Sequence, residues 1–337
     1  MVRVGVNGFG RIGRSFLRAA WERPEIEIVA VNDVGSPEAN AHLLAYDSTQ
    51  GRFPAAVSLE AEGLRIGERV VRTLAERDPA ALPWKELDVE VVVESTGRFT
   101  TREAAAAHLD AGAERVVISA PGTGVDATFV VGVNDDTFDP EHHRVVSNAS
   151  CTTNCVVPLA KVLDDAFGIR QGLMTTVHAY TNDQNLLDLI HKDLRRARAA
   201  AINIVPSSTG AARATGLVLQ HLAGRLDGTS LRVPVPVGSI TDLVAIVGAG
   251  VGVAEVNAAY AAAAGTGRLA GVLEYSEAPL VSSDIVGSPA SCTFDAGLTM
   301  CVPVADDATL VKVMGWYDNE WGYSNRLVDL VALVGGR

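Results

Sequence analysis

The sequence predicts an α/β chain of two domains, an N-terminal doubly wound parallel sheet and an α+β domain with a mixed, largely antiparallel sheet. Three observations predict it. Residues 2–33 read as strand, glycine-rich turn, helix, strand and terminal acid, in that order. Short apolar strands and helical stretches alternate as far as residue 121. Beyond Cys151 the strands lengthen and alternate apolar with polar residues, as a sheet with one covered face requires. A chain of 337 residues, 48% hydrophobic and 20% charged, is long and apolar enough for two such cores.

Taken in order, Val2, Val4 and Val6 form the first strand, and GFGRIG leads into a helix with Ile12, Phe16, Ala19 and Ala20 on one face. IEIVAVND is the second strand. Gly8, Gly10 and Gly13 make GxGxxG, and Asp33 lies twenty residues beyond Gly13. That register is the dinucleotide-binding unit of a Rossmann-type sheet. Its glycines let backbone N–H groups approach a pyrophosphate at the helix N-terminus, and its acid accepts hydrogen bonds from a ribose diol. A carboxylate there repels a 2′-phosphate, so NAD is expected over NADP. Strands at 89–95 and 115–121, with an Ala-rich helical segment around 101–112 between them, continue the parallel sheet. The segments 172–180, 231–247 and 309–319 supply strands of the second domain. The expected division is 1–149, 150–317, and a C-terminal segment 318–337 whose helix returns to the first domain.

SNASCTTNC, residues 147–155, sets a cysteine among small polar residues just before the apolar face of Cys155, Val156, Leu159 and Leu163. Cys151 therefore falls at a helix N-terminus, where unpaired N–H groups favour negative charge on sulfur. A thiol with a pKa of about 8.5 is only a few per cent ionised at neutral pH, and a helix end contributes about 1 kcal/mol or less. A second partner is needed. His178, at the end of the apolar strand in TTVHAYTNDQ, is the candidate, in a pair that keeps a thiolate present while the imidazolium acts later as acid. A histidine satisfied by backbone groups would show the same pattern. His108, His142, His143 and His221 sit in polar contexts and are read as solvated; His191 and Cys155 are read as structural. Ser150, Thr152, Thr181, Thr209 and Gly210 offer hydroxyls and backbone donors for anions, with Arg232 beside VPVP as a phosphate ligand or as a surface arginine packed on the sheet. The RRARAA run at 195–200 reads as a solvated or interface segment.

Composition narrows the function class. The balance of 28 basic to 40 acidic residues gives a net charge of −12, which argues against nucleic acid as a partner. An anionic substrate then needs a local positive cluster. Four cysteines are too few for a disulfide framework, and the CxxxC spacing of Cys151 and Cys155 does not match a zinc site, so no metal is expected. No apolar run reaches the roughly 18 residues of a membrane span. The N-terminus lacks the regions of a signal peptide, so the expected location is cytoplasmic.

NGFGRIGR, SNASCTTNC, HAYTNDQ, HKDLRRARAAA, STGAA, RVPVP and WYDNEWGYSNR follow one another along the chain, which in this resembles the phosphorylating glyceraldehyde-3-phosphate dehydrogenases over its whole length. The resemblance implies a homotetramer that oxidises glyceraldehyde 3-phosphate with NAD and inorganic phosphate to 1,3-bisphosphoglycerate. It implies Cys151 as the nucleophile that forms a thiohemiacetal and then a thioester, and His178 as the base. Thr181 and Arg232 match the site for the substrate's phosphate. Ser150, Thr152, Thr209 and Gly210 match the site for the attacking phosphate. Arg11, Ile12, Asp33, Arg77, Ser119 and Asn319 match cofactor contacts, with Asn319 at the nicotinamide amide.

Some positions depart from the usual bacterial pattern. Ile190 stands where NAD-specific members commonly carry proline, Val237–Gly238 replaces Asn–Val, Ser207–Ser208 replaces Thr–Thr, and Cys292 occupies a serine position. These changes raise a further reading, a specialised copy whose pocket tolerates electrophilic inhibitors. Erythrose-4-phosphate dehydrogenase, which hydrolyses its thioester, is the nearest rival activity. The retained Ser150, Thr152 and Thr209 argue for phosphate as the acceptor.

Overall fold

The computed structural model describes residues 1–336, which divide into two compact units, residues 1–150 with 324–336 and residues 151–323. In the first unit, β1 (Val2–Asn7), α1 (Arg11–Ala20) and β2 (Ile26–Asn32) form the initial βαβ, with β1 and β2 parallel. After α2 (Pro37–Ala45) and a small hairpin of β3 (Tyr46–Asp47) and β4 (Gly51–Arg52) come β5 (Val57–Glu60), β6 (Gly63–Ile66) and β7 (Arg69–Leu74). β8 (Val91–Glu94) pairs parallel to β1. The Ala-rich segment forms two short helices, α3 (Arg102–Ala105) and α4 (Ala107–Asp110), rather than one. β9 (Arg115–Ile118), β10 (Ala127–Thr128) and β11 (Val145–Ser147) complete a nine-stranded sheet in the order β10-β11-β9-β8-β1-β2-β7-β6-β5.

The sheet is parallel from β10 through β7, and β6 and β5 then add an antiparallel edge to the parallel sheet that the sequence predicts. The central strands are buried on both faces: Val91, Val92 and Val93 are all inaccessible. Such strands read as continuous apolar runs because helices cover each side. The C-terminal helix runs from Trp321 to Gly335, and its Leu327, Val328, Leu330, Val331 and Val334 join Val2, Val4, Phe16 and Leu17 in the main core of this unit.

The second unit opens with α5 (Cys151–Phe167), followed by β12 (Ile169–Ala179), β13 (Val205–Ser208), α6 (Ala211–Val218), β14 (Leu226–Val233), β15 (Ser239–Val247), α7 (Val253–Gly265), β16 (Leu273–Ser276), β17 (Cys292–Asp295), β18 (Met300–Ala305) and β19 (Ala308–Tyr317). The C-terminal helix is α8. The sheet order is β13-β14-β12-β15-β19-β17-β16, with β18 on β19. Antiparallel pairs dominate, while β12–β14 and β16–β17 are parallel. β15 and β19 alternate buried and half-buried residues along their length, so one face packs under helices. The apolar run 231–247 is split between β14 and β15. Pro234 and Pro236 cannot donate to a ladder, and Gly238 holds φ of 92° with its absent Cβ 2.2 Å from the Ser282 carbonyl oxygen.

Candidate active site

Two sites emerge, one in each unit. In the first, the C-terminal ends of β1, β2 and β8 open onto a cavity of about 360 Å³ lined by Asn7, Gly8, Gly10, Asp33, Arg77 and Thr96 among others. Its size suits a small-molecule site at the end of a parallel sheet. Gly8 has φ of 94°, and a Cβ there would lie 2.6 Å from the Thr96 nitrogen. A Cβ on Gly13 would lie 2.2 Å from the Gly8 carbonyl oxygen, whereas one on Gly10 would meet nothing within 4 Å. Two of the glycines are thus required by packing, and the third faces open space at the N-terminus of α1, where a pyrophosphate would approach. Asp33 accepts the Phe9 N–H at 2.8 Å and the Gly35 N–H at 2.7 Å, which fixes the carboxylate at the cavity wall. These residues fit the adenosine side of NAD.

Not every predicted cofactor contact lies at this cavity. The Arg11 guanidinium is bound to Asp47 at 2.9 Å and to the Thr49 hydroxyl at 2.7 Å. Burial alone would raise the Asp47 carboxyl, but Arg11 and the Gln50 and Thr49 amides outweigh it and hold the carboxyl well below its usual range. Arg11 and Ile12 open α1, so each also offers a first-turn backbone N–H. Ser119 follows β9, with its N–H bonded to the Glu94 carbonyl. Asn319 belongs to the second unit, just past β19, where it accepts a hydrogen bond from Ser239 at 3.0 Å.

In the second unit Cys151 is the first residue of α5 and is partly exposed, with its Sγ 3.5 Å from His178 Nε2 near the end of β12. Ala149, two residues earlier, is held at φ of 57°, and its N–H donates to Ser147 Oγ at 3.0 Å. That left-handed conformation costs a non-glycine residue about 1–2 kcal/mol. The tautomer of His178 follows from its other nitrogen. Nδ1 lies 2.6 Å from the Ala179 carbonyl oxygen and 3.0 Å from Arg232 Nη1, and one nitrogen cannot donate to the first and accept from the second. The shorter contact requires Nδ1–H, and Arg232 Nη1 has the same carbonyl at 3.1 Å as its acceptor. We therefore assign the proton to Nδ1, leaving the Nε2 lone pair towards sulfur.

The electrostatics differ from the sequence expectation. Burial pushes the Cys151 thiol up, against the pull of Arg232, the Thr152 hydroxyl and the adjacent amides. Burial, and then Arg232, lowers His178 to about 3. The thiolate–imidazolium pair inferred from spacing is thus replaced by a thiol beside a neutral imidazole. Desolvation disfavours both charges, and Arg232 favours the thiolate while opposing the imidazolium.

Arg232 also donates to the Thr181 hydroxyl at 3.0 Å, so Cys151, His178, Arg232 and Thr181 form one cluster. Arg196 joins its edge through Asp183, which the Thr181 hydroxyl also reaches, and donates to Ser207 at 2.6 Å. Burial would raise the Asp183 carboxyl, but the Thr181 hydroxyl and Arg196 hold it low. The sequence marks Arg196 only as part of a solvated or interface segment; no local pattern singles it out, because Asp183 and Ser207 reach it only through the fold. Tyr317 was also missed. Its hydroxyl lies 2.9 Å from Thr152 Oγ1 and 2.8 Å from Thr176 Oγ1, and its ring stands edge-on to His178.

Thr152 is buried in the first turn of α5, next to the half-buried Ser150. Thr209 and Gly210 directly precede α6, where Thr209 Oγ1 accepts the Ala211 N–H at 3.2 Å. Cys155 and Cys292 are core residues: a Cβ on Gly315 would lie 2.4 Å from the Cys292 sulfur and 3.4 Å from that of Cys155. The exchange at position 292 is therefore a packing feature. His108, expected to be solvated, is wholly buried between Trp84 and Glu94. Among the described residues, no helix is long and apolar enough to cross a membrane.

Comparison with known proteins gives one family for both units. Residues 2–102 match the glyceraldehyde 3-phosphate dehydrogenase NAD binding domain, and residues 150–319 match the C-terminal domain of the same family. Glyceraldehyde-3-phosphate dehydrogenase 2 of Streptomyces arenae is 62% identical over 335 residues, covering 99% of this chain and 98% of its own. Glyceraldehyde-3-phosphate dehydrogenase of Streptomyces coelicolor is 58% identical over 337 residues, covering 100% and 99%. That of Mycobacterium tuberculosis is 59% identical over 341 residues, covering 99% and 98%.

Proposed function

The chain belongs to the glyceraldehyde 3-phosphate dehydrogenase family, and from that premise we infer that it is an NAD-dependent oxidoreductase converting glyceraldehyde 3-phosphate and inorganic phosphate to 1,3-bisphosphoglycerate, a step of glycolysis. The observation that carries the assignment of roles is the 3.5 Å approach of Cys151 Sγ to the lone pair of His178 Nε2. Cys151 sulfur adds to the aldehyde carbon while His178 takes the thiol proton and passes it to the new alkoxide, giving a thiohemiacetal. NAD, when bound, supplies the hydride acceptor. As the hydride leaves, His178 takes the hydroxyl proton back, and the carbon remains on Cys151 as a thioester. A phosphate oxygen then attacks the carbonyl carbon, the C–S bond breaks, and His178 returns the proton to sulfur.

Arg232 and Thr181 hold the substrate's own phosphate, with Arg196 adding positive charge at the edge. Ser150, Thr152, Thr209 and Gly210 receive the attacking phosphate. Gly8, Gly10, Gly13, Asp33 and Arg77 bind the adenosine and pyrophosphate of NAD, Arg11 and Ile12 contribute backbone N–H groups, Ser119 is a further cofactor contact, and Asn319 serves the nicotinamide amide. A like-charge clash with Asp33 disfavours a 2′-phosphate.

The protein acts in the cytoplasm as a homotetramer. Leu186, Leu187, Leu189, Ile190 and Leu194 are 64–97% exposed in the isolated chain, and Leu173, Met300, Val302 and Val304 are also exposed. So much clustered apolar surface is what a subunit interface covers. The reading is tested by assaying glyceraldehyde 3-phosphate with NAD or NADP, with and without phosphate. Turnover with NAD that stops without phosphate supports it. Turnover that continues without phosphate indicates a hydrolysed thioester, the erythrose-4-phosphate pattern.

A further inference from the structure

Below the nucleotide cavity lies a buried polar network that the mechanism does not use. Glu94, at the end of β8, is 1% exposed, and its carboxylate accepts from four donors. Oε1 takes the Thr96 N–H at 2.8 Å and the Thr96 hydroxyl. Oε2 takes Asn7 Nδ2 at 2.6 Å and His108 Nε2 at 3.1 Å. The far side of His108 settles its tautomer: Trp84 Nε1–H, which can only donate, points at Nδ1 from 3.0 Å. Nδ1 must accept, so Nε2 bears the proton given to Glu94. Asn7 in turn accepts from Asn32 Nδ2 at 2.7 Å, and Asn32 clamps the Glu76 backbone, accepting its N–H at 2.8 Å and donating to its carbonyl at 2.8 Å. Asn7, Asn32, Glu76 and Thr96 all line the cavity.

We propose that His108 is a positioning residue for the nucleotide: by donating to Glu94 it fixes Asn7 and Thr96, and through Asn32 the Glu76–Arg77 turn, in the geometry that the adenosine ribose and pyrophosphate meet. This rests on the reading of the cavity as the NAD site. The physical reason is the arithmetic of a buried carboxylate. Four donors satisfy it, and removal of one leaves a buried acceptor that is stabilised only by drawing the remaining donors towards it. Asn7 and Thr96 are those donors, and both belong to the cavity wall. The effect falls on nucleotide affinity and not on the chemistry at Cys151.

The test uses the intact protein labelled with 5-fluorotryptophan and titrated with ADP-ribose, which lacks nicotinamide. The Trp84 fluorine signal, assigned by replacing the other tryptophans, is expected to shift and to saturate at the dissociation constant of ADP-ribose; a signal that stays still overturns the proposal. His108→Leu is expected to raise the KM for NAD about tenfold, with kcat at saturating NAD within twofold of the parent. His108→Gln, which can both donate to Glu94 and accept from Trp84, restores the KM. Equal behaviour of the two variants, or a loss confined to kcat, also overturns it, and if the leucine variant does not fold the fluorine titration decides. Asp33→Ala separates the two readings. Unchanged ADP-ribose affinity in that variant defeats the cavity assignment itself, whereas weakened affinity beside a motionless Trp84 signal defeats only the role of His108.

Discussion

Acidification of the ligand-free protein should weaken it through His178. The imidazole has a pKa of about 6.5 in an unfolded chain. In the fold, burial and then Arg232 lower it to about 3. Between those values the unfolded state binds the extra proton, so the stabilising contribution is fully present above pH 6.5 and is lost as pH falls towards 3. Integrated from pH 7 to pH 5, the loss is about 2 kcal/mol. The side chain is 3% exposed, so solvent screening does not erase the effect. Guanidinium unfolding at fixed protein concentration, run at pH 7, 6 and 5 on the parent and on His178→Asn, measures it as a difference between the two pH dependences. The parent should lose about 2 kcal/mol more than the variant over that range. Parallel curves, or a histidine ring resonance of residue 178 that titrates near its ordinary value, would refute the claim that desolvation and Arg232 keep the ring neutral.

Three further outcomes follow from the same geometry. His178→Asn should slow the pre-steady-state burst of NADH by about 10²–10⁴-fold, as loss of a positioned base does, without weakening NAD binding; a burst within threefold of the parent removes His178 as the base. Arg232→Ala should raise the KM for glyceraldehyde 3-phosphate far more than that for unphosphorylated glyceraldehyde, and an equal change in both would deny it a phosphate-binding role. Ala149→Gly should be neutral or stabilising by about 1 kcal/mol because it relieves a left-handed alanine, whereas Ala149→Val should destabilise by at least as much; thermal melts of the two variants give the comparison.

What the sequence made legible was whatever depends on local pattern. The order of Gly8, Gly10, Gly13 and Asp33 is confined to one βαβ unit, and the run of valines at 91–93 announces a strand covered on both faces. The position of Cys151 at a helix start follows from the apolar spacing behind it. Features made by distant segments stayed hidden. β5 alternates apolar and polar residues, but over only four positions, and the four residues of β6 show no such period, so neither stands out as a strand. His108 reads as polar because its neighbours in sequence are, yet Glu94 and Trp84 enclose it from other elements. Arg196 reads only as part of a solvated or interface segment, because Asp183 and Ser207 meet it from elsewhere in the chain. The resting charge of the Cys151–His178 pair was misjudged for a related reason: spacing shows which residues meet but not how much water their meeting expels, and here desolvation outweighs pairing.

The account depends on Cys151 becoming covalently acylated, and mass spectrometry of the protein quenched after mixing with glyceraldehyde 3-phosphate and NAD without phosphate observes that directly. One phosphoglyceroyl group per chain is expected on the peptide containing Cys151, discharged on adding phosphate and absent from Cys151→Ser. An acyl group on Cys155, Cys292 or Cys301, or NADH formation with no acylated cysteine, would contradict it.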